Sequence, residues 1–235
     1  MGSRLAVGRH TLDVEVEGSN PSSPAMVRRR AKILSETATA PPKHPCPGAM
    51  REVEIKIALK SFDVIALALN ERGVSLGSPM TQDDIWFAKP ETIKSFAKFQ
   101  SQAIALRIRQ ENGQATLTLK QPQTNSTDNI ELESGIDDAK IVQAMLEKID
   151  FKEVVRVHKT RREARVDGIK VCLDEVEGLG KFVEAEQLTD ERSNPAIIQQ
   201  QLAALLCSLT NRPKAPIITD SYSKLAFRRK HQGNE

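Results

Sequence analysis

Residues 51–59 read Arg-Glu-Val-Glu-Ile-Lys-Ile-Ala-Leu, and charged side chains alternate with apolar ones along most of this stretch. Side chains at positions i, i+2 and i+4 of a β-strand lie on one face of the strand. Glu52, Glu54 and Lys56 therefore share one face, and the apolar residues share the other. The alternation predicts a β-strand whose charged face either meets water or lines a polar interior.

Charged side chains at the same spacing recur in later alternating stretches. The acids are Glu131, Glu133, Asp174, Glu184 and Glu186, and the bases are Arg107, Arg109, Lys120, Lys159 and Arg161. Any single pair is typical of a solvated strand face. The whole set, turned inward in a barrel, would instead line a tunnel with acidic and basic sides. Carboxylates suit Mg²⁺ or Mn²⁺, and Lys and Arg suit a run of phosphates.

The order of the predicted elements indicates the fold class. Asn112-Gly113 and Asp167-Gly168 each separate two alternating runs, which is typical of β-hairpins. The pattern predicts about eight strands, mostly antiparallel, and three main helices. Strands do not alternate regularly with helices, as they would in a parallel sheet. We therefore predict an α+β fold with an eight-stranded, closed or nearly closed antiparallel β-barrel.

Capping residues place the predicted helices. The first helix covers 62–72 and is expected to be capped by Ser61. The second runs to about residue 149 after a cap at Asp137 or Asp138. The third begins with Asn194 and Pro195, in the order that a cap and a first helical position require, and runs to about residue 209.

Composition excludes several functional classes. Lys and Arg exceed Asp and Glu by three over the chain, and residues 1–50 contain that whole excess. The rest of the chain is neutral, so we expect no nucleic-acid partner. No apolar stretch reaches the roughly 18 residues of a membrane span, so no membrane partner is expected. The three cysteines have neither disulfide nor zinc spacing, which favours a reducing, cytoplasmic location.

The domain boundaries follow from the distribution of Pro, Ser, Gly and Ala. Residues 1–49 are rich in these types and lack apolar periodicity, so we predict a disordered leader. Its Gly18-Ser19-Asn20-Pro21 resembles a translated tRNA T-loop, which raises the alternative that translation starts at Met26 or Met50. The folded domain is expected over 50–228, followed by a polar tail over 229–235.

The first strand matches the Glu-x-Glu-x-Lys signature that opens CYTH domains, a family named for a bacterial class IV adenylate cyclase and mammalian thiamine triphosphatase. Later stretches resemble the family's motifs in the same order: Leu106-Arg107-Ile108-Arg109, Thr118-Leu119-Lys120-Gln121-Pro122, Glu131-Leu132-Glu133, Lys159-Thr160-Arg161, Leu173-Asp174-Glu175-Val176 and residues 178–186. The resemblance covers about residues 50–225. It implies a triphosphate tunnel enzyme that depends on divalent metal.

The resemblance assigns expected roles to these residues. The expected ligands of Mg²⁺ or Mn²⁺, in one site or two, are Glu52, Glu54, Glu131, Glu133, Asp174, Glu184 and Glu186. The expected triphosphate-binding residues are Lys56, Arg107, Arg109, Lys120, Lys159 and Arg161, of which Lys56 and Lys120 are also catalytic candidates. The expected partner is a small molecule that carries a triphosphate, and the assembly state, including a homodimer, is left open.

The resemblance leaves the reaction open. The single-domain layout and the ending Gly-Leu-Gly-x-Phe-Val-Glu-x-Glu resemble the class IV adenylate cyclases, which convert ATP to cyclic AMP and pyrophosphate. The alternative enzyme is an inorganic or thiamine triphosphatase. An alternative of another class is a module that binds polyphosphate or a nucleotide without turnover. The retained acids favour an enzyme, because an anion binder gains nothing from seven carboxylates unless metal is used.

Two departures from the family pattern concern substrate identity. Residues 84–88 read Asp-Ile-Trp-Phe-Ala where the family usually has Asp-x-Tyr-Phe-Asp. Asn129 stands where an Arg often precedes the middle acidic pair, so Arg162 or Lys224 is a candidate to supply the missing phosphate contact. For Trp86, core packing is favoured over stacking on a nucleobase.

Overall fold

The structure is a computed structural model that describes residues 50–98, 100–101, 103–190 and 192–232. The strands are β1 (Met50–Leu59), β2 (Met80–Ala88), β3 (Ala105–Glu111), β4 (Gln114–Pro122), β5 (Asp128–Ile136), β6 (Lys152–Val166), β7 (Ile169–Val176) and β8 (Gly180–Thr189). The helices are α1 (Asp63–Glu71), α2 (Pro90–Ile93), α3 (Ala139–Lys148), α4 (Pro195–Leu209) and α5 (Tyr222–Gln232). None of the described helices is long and apolar enough to cross a membrane.

The eight strands form a closed barrel in the order β1-β5-β4-β3-β2-β6-β7-β8, and all neighbouring strands are antiparallel. This confirms the predicted fold class. The two predicted hairpins join β3 to β4 and β6 to β7. Both turn residues of each hairpin have positive φ, 50° and 78° at Asn112 and Gly113, and 51° and 82° at Asp167 and Gly168. Such angles are typical of two-residue hairpin turns, whose twist matches that of the strands.

The main apolar core lies outside the barrel wall. Val53, Ile55 and Ile57 on β1 are at most 2% exposed, and they belong to one cluster with Leu202 and Leu206 of α4. Another cluster joins the outer faces of β2 and β3 to α3. Because a strand's two faces alternate, burying the apolar face under helices turns the charged face into the barrel. The outer core thus fixes which side chains line the interior.

Helix boundaries agree with the predicted caps at two of three positions. Asp138 accepts hydrogen bonds from the backbone amides of Lys140 and Ile141, at 2.9 and 3.1 Å. Asn194 accepts one from the amide of Ala196 at 3.0 Å. The predicted Ser61 cap is wrong, because Phe62 occupies the cap position of α1 without a side-chain hydrogen bond. Phe62 packs against the outer core, and this packing sets where the helix begins.

Two helices were not predicted, α2 and α5. The last of these closes one end of the barrel with Tyr222 and Phe227, which are buried in a cluster with Trp86 and Phe182. The Tyr222 ring meets Phe182 edge-on, with ring centroids 5.1 Å apart. The barrel interior is therefore charged along most of its length and apolar where α5 covers it.

The predicted leader, residues 1–49, lies outside the described residues. We expect a protein that begins at Met50 to keep its melting temperature and its turnover, because the removed segment lacks the apolar periodicity of a packed element. Thermal denaturation and steady-state assays of the full and truncated chains check this. A drop in melting temperature beyond about 5 °C, which corresponds to more than about 1 kcal/mol for a domain of this size, would contradict the prediction.

Candidate active site

A cavity of about 220 Å³ occupies the barrel interior. Of the thirteen predicted site residues, twelve line it: Glu52, Glu54, Lys56, Arg107, Arg109, Lys120, Glu131, Glu133, Lys159, Arg161, Glu184 and Glu186. The thirteenth, Asp174, is fully buried beside Arg161. All of these side chains except Asp174 therefore share one cavity, as predicted from the strand face that they have in common.

Opposite charges lie directly across neighbouring strands. The paired positions in the ladder are Lys56 with Glu184, Arg109 with Asp84, Lys120 with Glu131, and Arg161 with Asp174. Their closest nitrogen–oxygen distances are 2.9, 2.7, 2.6 and 2.6 Å, respectively. Cβ atoms at directly opposite positions are roughly 5 Å apart, so the register itself creates these contacts. The interior therefore accommodates many charged side chains, because charges on one strand are neutralised by opposite charges on the neighbouring strand.

Arg161 is the most densely bonded cation of the interior. It donates to both oxygens of Asp174 at 2.7 and 2.6 Å, to Glu186 at 2.9 Å and to Glu184 at 2.6 Å. Its side chain is 4% exposed. Three carboxylates thus occupy the donors of one guanidinium, and Arg161 holds them in fixed positions.

Three carboxylates converge on one side of the cavity. Single oxygens of Glu52, Glu54 and Glu186 lie within 4.8 Å of one another. Burial and then neighbouring carboxylates raise the pKa of Glu52 well above its usual value. Burial opposes the ionisation of Glu54 as well, but Lys120 and Lys56 lower its pKa to about 2. Converging carboxylate oxygens are ligands that Mg²⁺ and Mn²⁺ prefer, so this donor set fits a hard divalent cation.

The part of the cavity around Lys159 and Arg107 is suited to an anion instead of a cation. Lys159 is 3% exposed, and Asp174 at 3.9 Å is the carboxylate paired with it among the described residues. Burial and the charge of Arg161 lower the pKa of Lys159 to about 8. The Nε of Arg107 is buried and has no hydrogen-bond acceptor among the described residues. A multiply charged oxyanion would supply the missing charge and acceptors.

Lys56 and Lys120 are permanent cations. Burial acts against their charge, but Glu184 and Glu54 around Lys56, and Glu131 and Glu54 around Lys120, raise the pKa of both ammonium groups. Neither lysine can therefore accept a proton near neutral pH. Both can stabilise negative charge on a bound group.

Six cavity-lining residues were not among the predicted site residues: Asp84, Trp86, Lys170, Ser221, Tyr222 and Ser223. Strand parity could have predicted the first three, because Asp84 and Trp86 lie on one face of β2 and Lys170 lies on the same face of β7 as Asp174. The other three belong to or precede α5, whose docking no pattern in the sequence announced. The Tyr222 ring lies below the Nζ atoms of Lys56 and Lys159, at 5.2 and 5.0 Å.

The two candidates for a replacement phosphate contact lie elsewhere. Arg162 is exposed on the outer face of β6 and donates to the carbonyl of Gly77 at 2.9 Å. Lys224 donates to the hydroxyl of Ser126 at 3.1 Å, and it lines a neighbouring cleft instead of the charged cavity. The residues that line the cavity therefore exclude Arg162 as a contact.

Comparisons with known proteins agree with this geometry. A family model described as the CYTH domain matches residues 50–212. "Putative adenylate cyclase MJ0240" from Methanocaldococcus jannaschii is 30% identical over 178 residues, which are 75% of this chain and 98% of that relative. Adenylate cyclase CyaB from Aeromonas hydrophila is 29% identical and covers 74% of this chain and 87% of that relative. The solved structure of the PH1819 protein from Pyrococcus horikoshii is 30% identical, with a TM-score of 0.60 and coverage of 76% of this chain and 99% of that one.

Proposed function

This chain belongs to the CYTH domain family, and we propose that it is a metal-dependent enzyme that acts on a triphosphate substrate inside the barrel. Members of this family act as adenylate cyclases or triphosphatases. The observation that carries the proposal is the polarity of one cavity. Carboxylates converge on one side, and an arginine donor without an acceptor lies on another. A polyphosphate with a divalent cation meets both needs together.

The contacts support a division of roles. We assign Glu52, Glu54 and Glu186 to Mg²⁺ or Mn²⁺, which when bound neutralises phosphate charge and acts as a Lewis acid. Arg107, Arg109, Lys159, Lys56 and Lys120 bind the phosphates. The remaining predicted ligands lie outside the converging trio, and each pairs with a cation: Glu131 with Lys120, Glu133 with Arg107, and Asp174 and Glu184 with Arg161. We assign them to positioning those cations.

The leading reaction is conversion of ATP to cyclic AMP and pyrophosphate, which the names of two relatives support. The ribose 3′-hydroxyl must then be held in line with the α-phosphorus while pyrophosphate leaves. Hydrolysis of inorganic or thiamine triphosphate is the second candidate. It is favoured by the lining of the cavity, because seven basic and seven acidic side chains line it and a bare triphosphate needs no other kind of contact. Both reactions depend on positioning and charge neutralisation.

Product analysis tests the proposal and separates its two forms. Purified protein is incubated with Mg²⁺ or Mn²⁺ and with ATP, inorganic triphosphate or thiamine triphosphate, and the products are separated by chromatography. Cyclic AMP with pyrophosphate identifies a cyclase, and orthophosphate identifies a triphosphatase. EDTA is expected to stop either reaction. Tight binding of a triphosphate without any product would identify the binding module instead.

The low pKa of Lys159 makes anion binding depend on pH. Its free pKa is about 8 because burial and Arg161 disfavour the charged form. A bound phosphate favours that form, so the pKa is higher in the complex. At a pH between the pKa of Lys159 in the free protein and its pKa in the complex, binding is accompanied by the uptake of a proton. We therefore expect the Kd for inorganic triphosphate, measured without metal, to rise by up to about tenfold per pH unit above pH 8.

Calorimetric titrations from pH 7 to pH 10 measure this dependence. The matched control is Lys159→Arg, whose guanidinium stays charged throughout this range. Ionisation of the ligand itself affects both proteins equally, so the difference between the two profiles isolates Lys159. Parallel profiles for the two proteins would contradict the prediction.

A further inference from the structure

One further cation lies beside the carboxylates that we assign to the metal. A cleft of about 540 Å³ adjoins the charged cavity, and the two share three lining residues, Glu52, Lys170 and Glu186. The two acids belong to the carboxylate trio of the metal site. Lys170 therefore stands next to this trio, where the cavity meets the cleft, and the roles assigned above do not use it.

The ammonium group of Lys170 contacts two carboxylates. Its Nζ lies 2.8 Å from Oε2 of Glu186 and 3.2 Å from Oε1 of Glu163. Lys170 and Glu186 occupy directly opposite positions in the β7–β8 ladder, so the register brings them together. The side chain of Glu186 is 10% exposed and that of Glu163 is 36% exposed. Lys170 thus bridges a buried carboxylate of the metal site and a more exposed carboxylate outside it.

Both oxygens of Glu186 already have cationic partners. Oε1 accepts a hydrogen bond from Arg161 at 2.9 Å, and Oε2 pairs with Lys170. The Arg161 side chain is 4% exposed and donates to two further carboxylates. The Lys170 side chain is 32% exposed, and its other carboxylate contact is Glu163. A divalent cation that binds Glu186 would therefore displace Lys170 more readily than Arg161.

We propose that Lys170 is an internal counter-ion of the metal site, which occupies Glu186 until a divalent cation displaces it towards Glu163. Lys170 is a positioning residue, because it acts on the site through Glu186. The inference rests on the proposed function, since it uses the carboxylate trio as the metal site. It adds the residue that sets how tightly that site binds its cation.

The charges give the physical reason for such an exchange. Three carboxylates whose oxygens lie within 4.8 Å of one another repel each other, and the ammonium group of Lys170 reduces that repulsion. Mg²⁺ or Mn²⁺ carries twice the charge of an ammonium group and is attracted more strongly by the same carboxylates. A monovalent cation has no such advantage over a tethered ammonium group. Exchange with Lys170 therefore favours divalent over monovalent cations.

Calorimetric titration with Mn²⁺ in the absence of substrate tests the exchange. Lys170→Met and Lys170→Gln remove the competing charge, so each is expected to lower the Kd for Mn²⁺ by about tenfold. Lys170→Arg keeps a cation opposite Glu186 and should bind Mn²⁺ no more tightly than the wild type does.

Lys181→Met is the matched control on the same two strands. Lys181 lies opposite Glu175 in the β7–β8 ladder, with Nζ 2.5 Å from its carboxylate, and its side chain is 29% exposed. The substitution removes the same charge from a cross-strand pair of similar exposure, but on the outer face of the barrel. Its Kd for Mn²⁺ should stay within about twofold of the wild-type value, because solvent and salt screen the lost charge.

Chemical labelling follows the displacement in the wild type itself and does not depend on how well a variant folds. Saturating Mn²⁺ should raise the rate at which an amine-reactive ester acylates Lys170, because its ammonium group leaves Glu186. The rate at Lys181 should stay unchanged. Mass spectrometry of the digested protein measures both lysines in one sample.

Each outcome decides the proposal. A lower Kd in the neutral variants, together with faster labelling of Lys170, supports it, and thermal melts confirm that the variants fold. Folded neutral variants that bind Mn²⁺ as the wild type does, an equal fall of the Kd in Lys181→Met, or labelling of Lys170 that Mn²⁺ does not change would overturn it and leave the proposed function intact. A wild-type chain that binds no Mn²⁺, with or without inorganic triphosphate, overturns the metal site and the proposed function together.

Discussion

Replacing Glu54 by glutamine is expected to lower kcat by about 100-fold or more, with a smaller change in substrate affinity. Glu54 is 6% exposed, and its pKa of about 2 keeps it ionised throughout the working pH range. Glutamine keeps the size and the hydrogen-bonding capacity but removes the charge from the trio that Glu54 forms with Glu52 and Glu186. The fold should survive, because Lys56 keeps Glu184 and Lys120 keeps Glu131 as partners.

Turnover across titrations of Mg²⁺ and Mn²⁺, with EDTA as the metal-free reference, measures the effect. Glu175→Gln is the matched control, since Glu175 lies next to Asp174 in the chain but is exposed on the outer face of β7. Arg107→Ala should differ in kind by raising KM first, because it removes a phosphate donor. If the acids only balance the cations, Glu54→Gln would bind the polyanion more tightly and keep metal-independent activity, which would rule out a metal role for Glu54.

Strand parity explains why so much of the interior could be predicted from the sequence. The period of a strand is two residues, so an apolar face that must be covered by helices fixes the direction of every alternate side chain. Val53, Ile55 and Ile57 form such a face, and Glu52 and Glu54 had to lie opposite it. The same rule placed the basic pairs, and the Asn-Gly and Asp-Gly turns fixed two of the hairpins.

Strand parity does not determine how deeply a side chain is buried or which strands pair with each other. Asp174 has the right parity for the cavity, but Arg161 lies between it and the open space, and only the side-chain packing reveals this. The pairing of β1 with both β5 and β8 joins residues that are distant in the chain, and no local pattern encodes it. The docking of α5 was missed because Tyr222 and Phe227 are isolated aromatics in a polar, basic segment.

Replacing Arg161 by methionine is expected to destabilise the fold by about 3–5 kcal/mol near pH 7.5. The guanidinium neutralises Asp174, Glu184 and Glu186, all at most 9% exposed. Methionine fills a similar volume, so the cost arises from carboxylates that remain buried with fewer partners. The melting temperature should fall by roughly 6–20 °C for a domain of this size. Urea denaturation of wild type and variant measures the difference in the free energy of unfolding.

The pH dependence distinguishes this cause from simple loss of packing. In the wild type, Arg161 helps to hold the pKa of Glu186 and Asp174 below their usual values, against the opposing effect of burial. In the variant, burial prevails and their pKa values rise above those of the unfolded chain, so protonation on acidification relieves the penalty. The difference in the free energy of unfolding between the wild type and Arg161→Met should therefore become smaller as the pH is lowered from 7.5 to 5.

Arg162→Met provides the control on the adjacent, outward-facing position of β6. Arg162 bonds only the carbonyl of Gly77 among the contacts described for it, so its loss should cost about 1 kcal/mol and show no dependence on pH. A gap for Arg161→Met that stays constant from pH 7.5 to pH 5 would mean that the three carboxylates carry none of the cost. The ion pairs of Arg161 with Asp174, Glu184 and Glu186 would then make no contribution to the stability of the fold. These carboxylates could in that case change position when a metal binds.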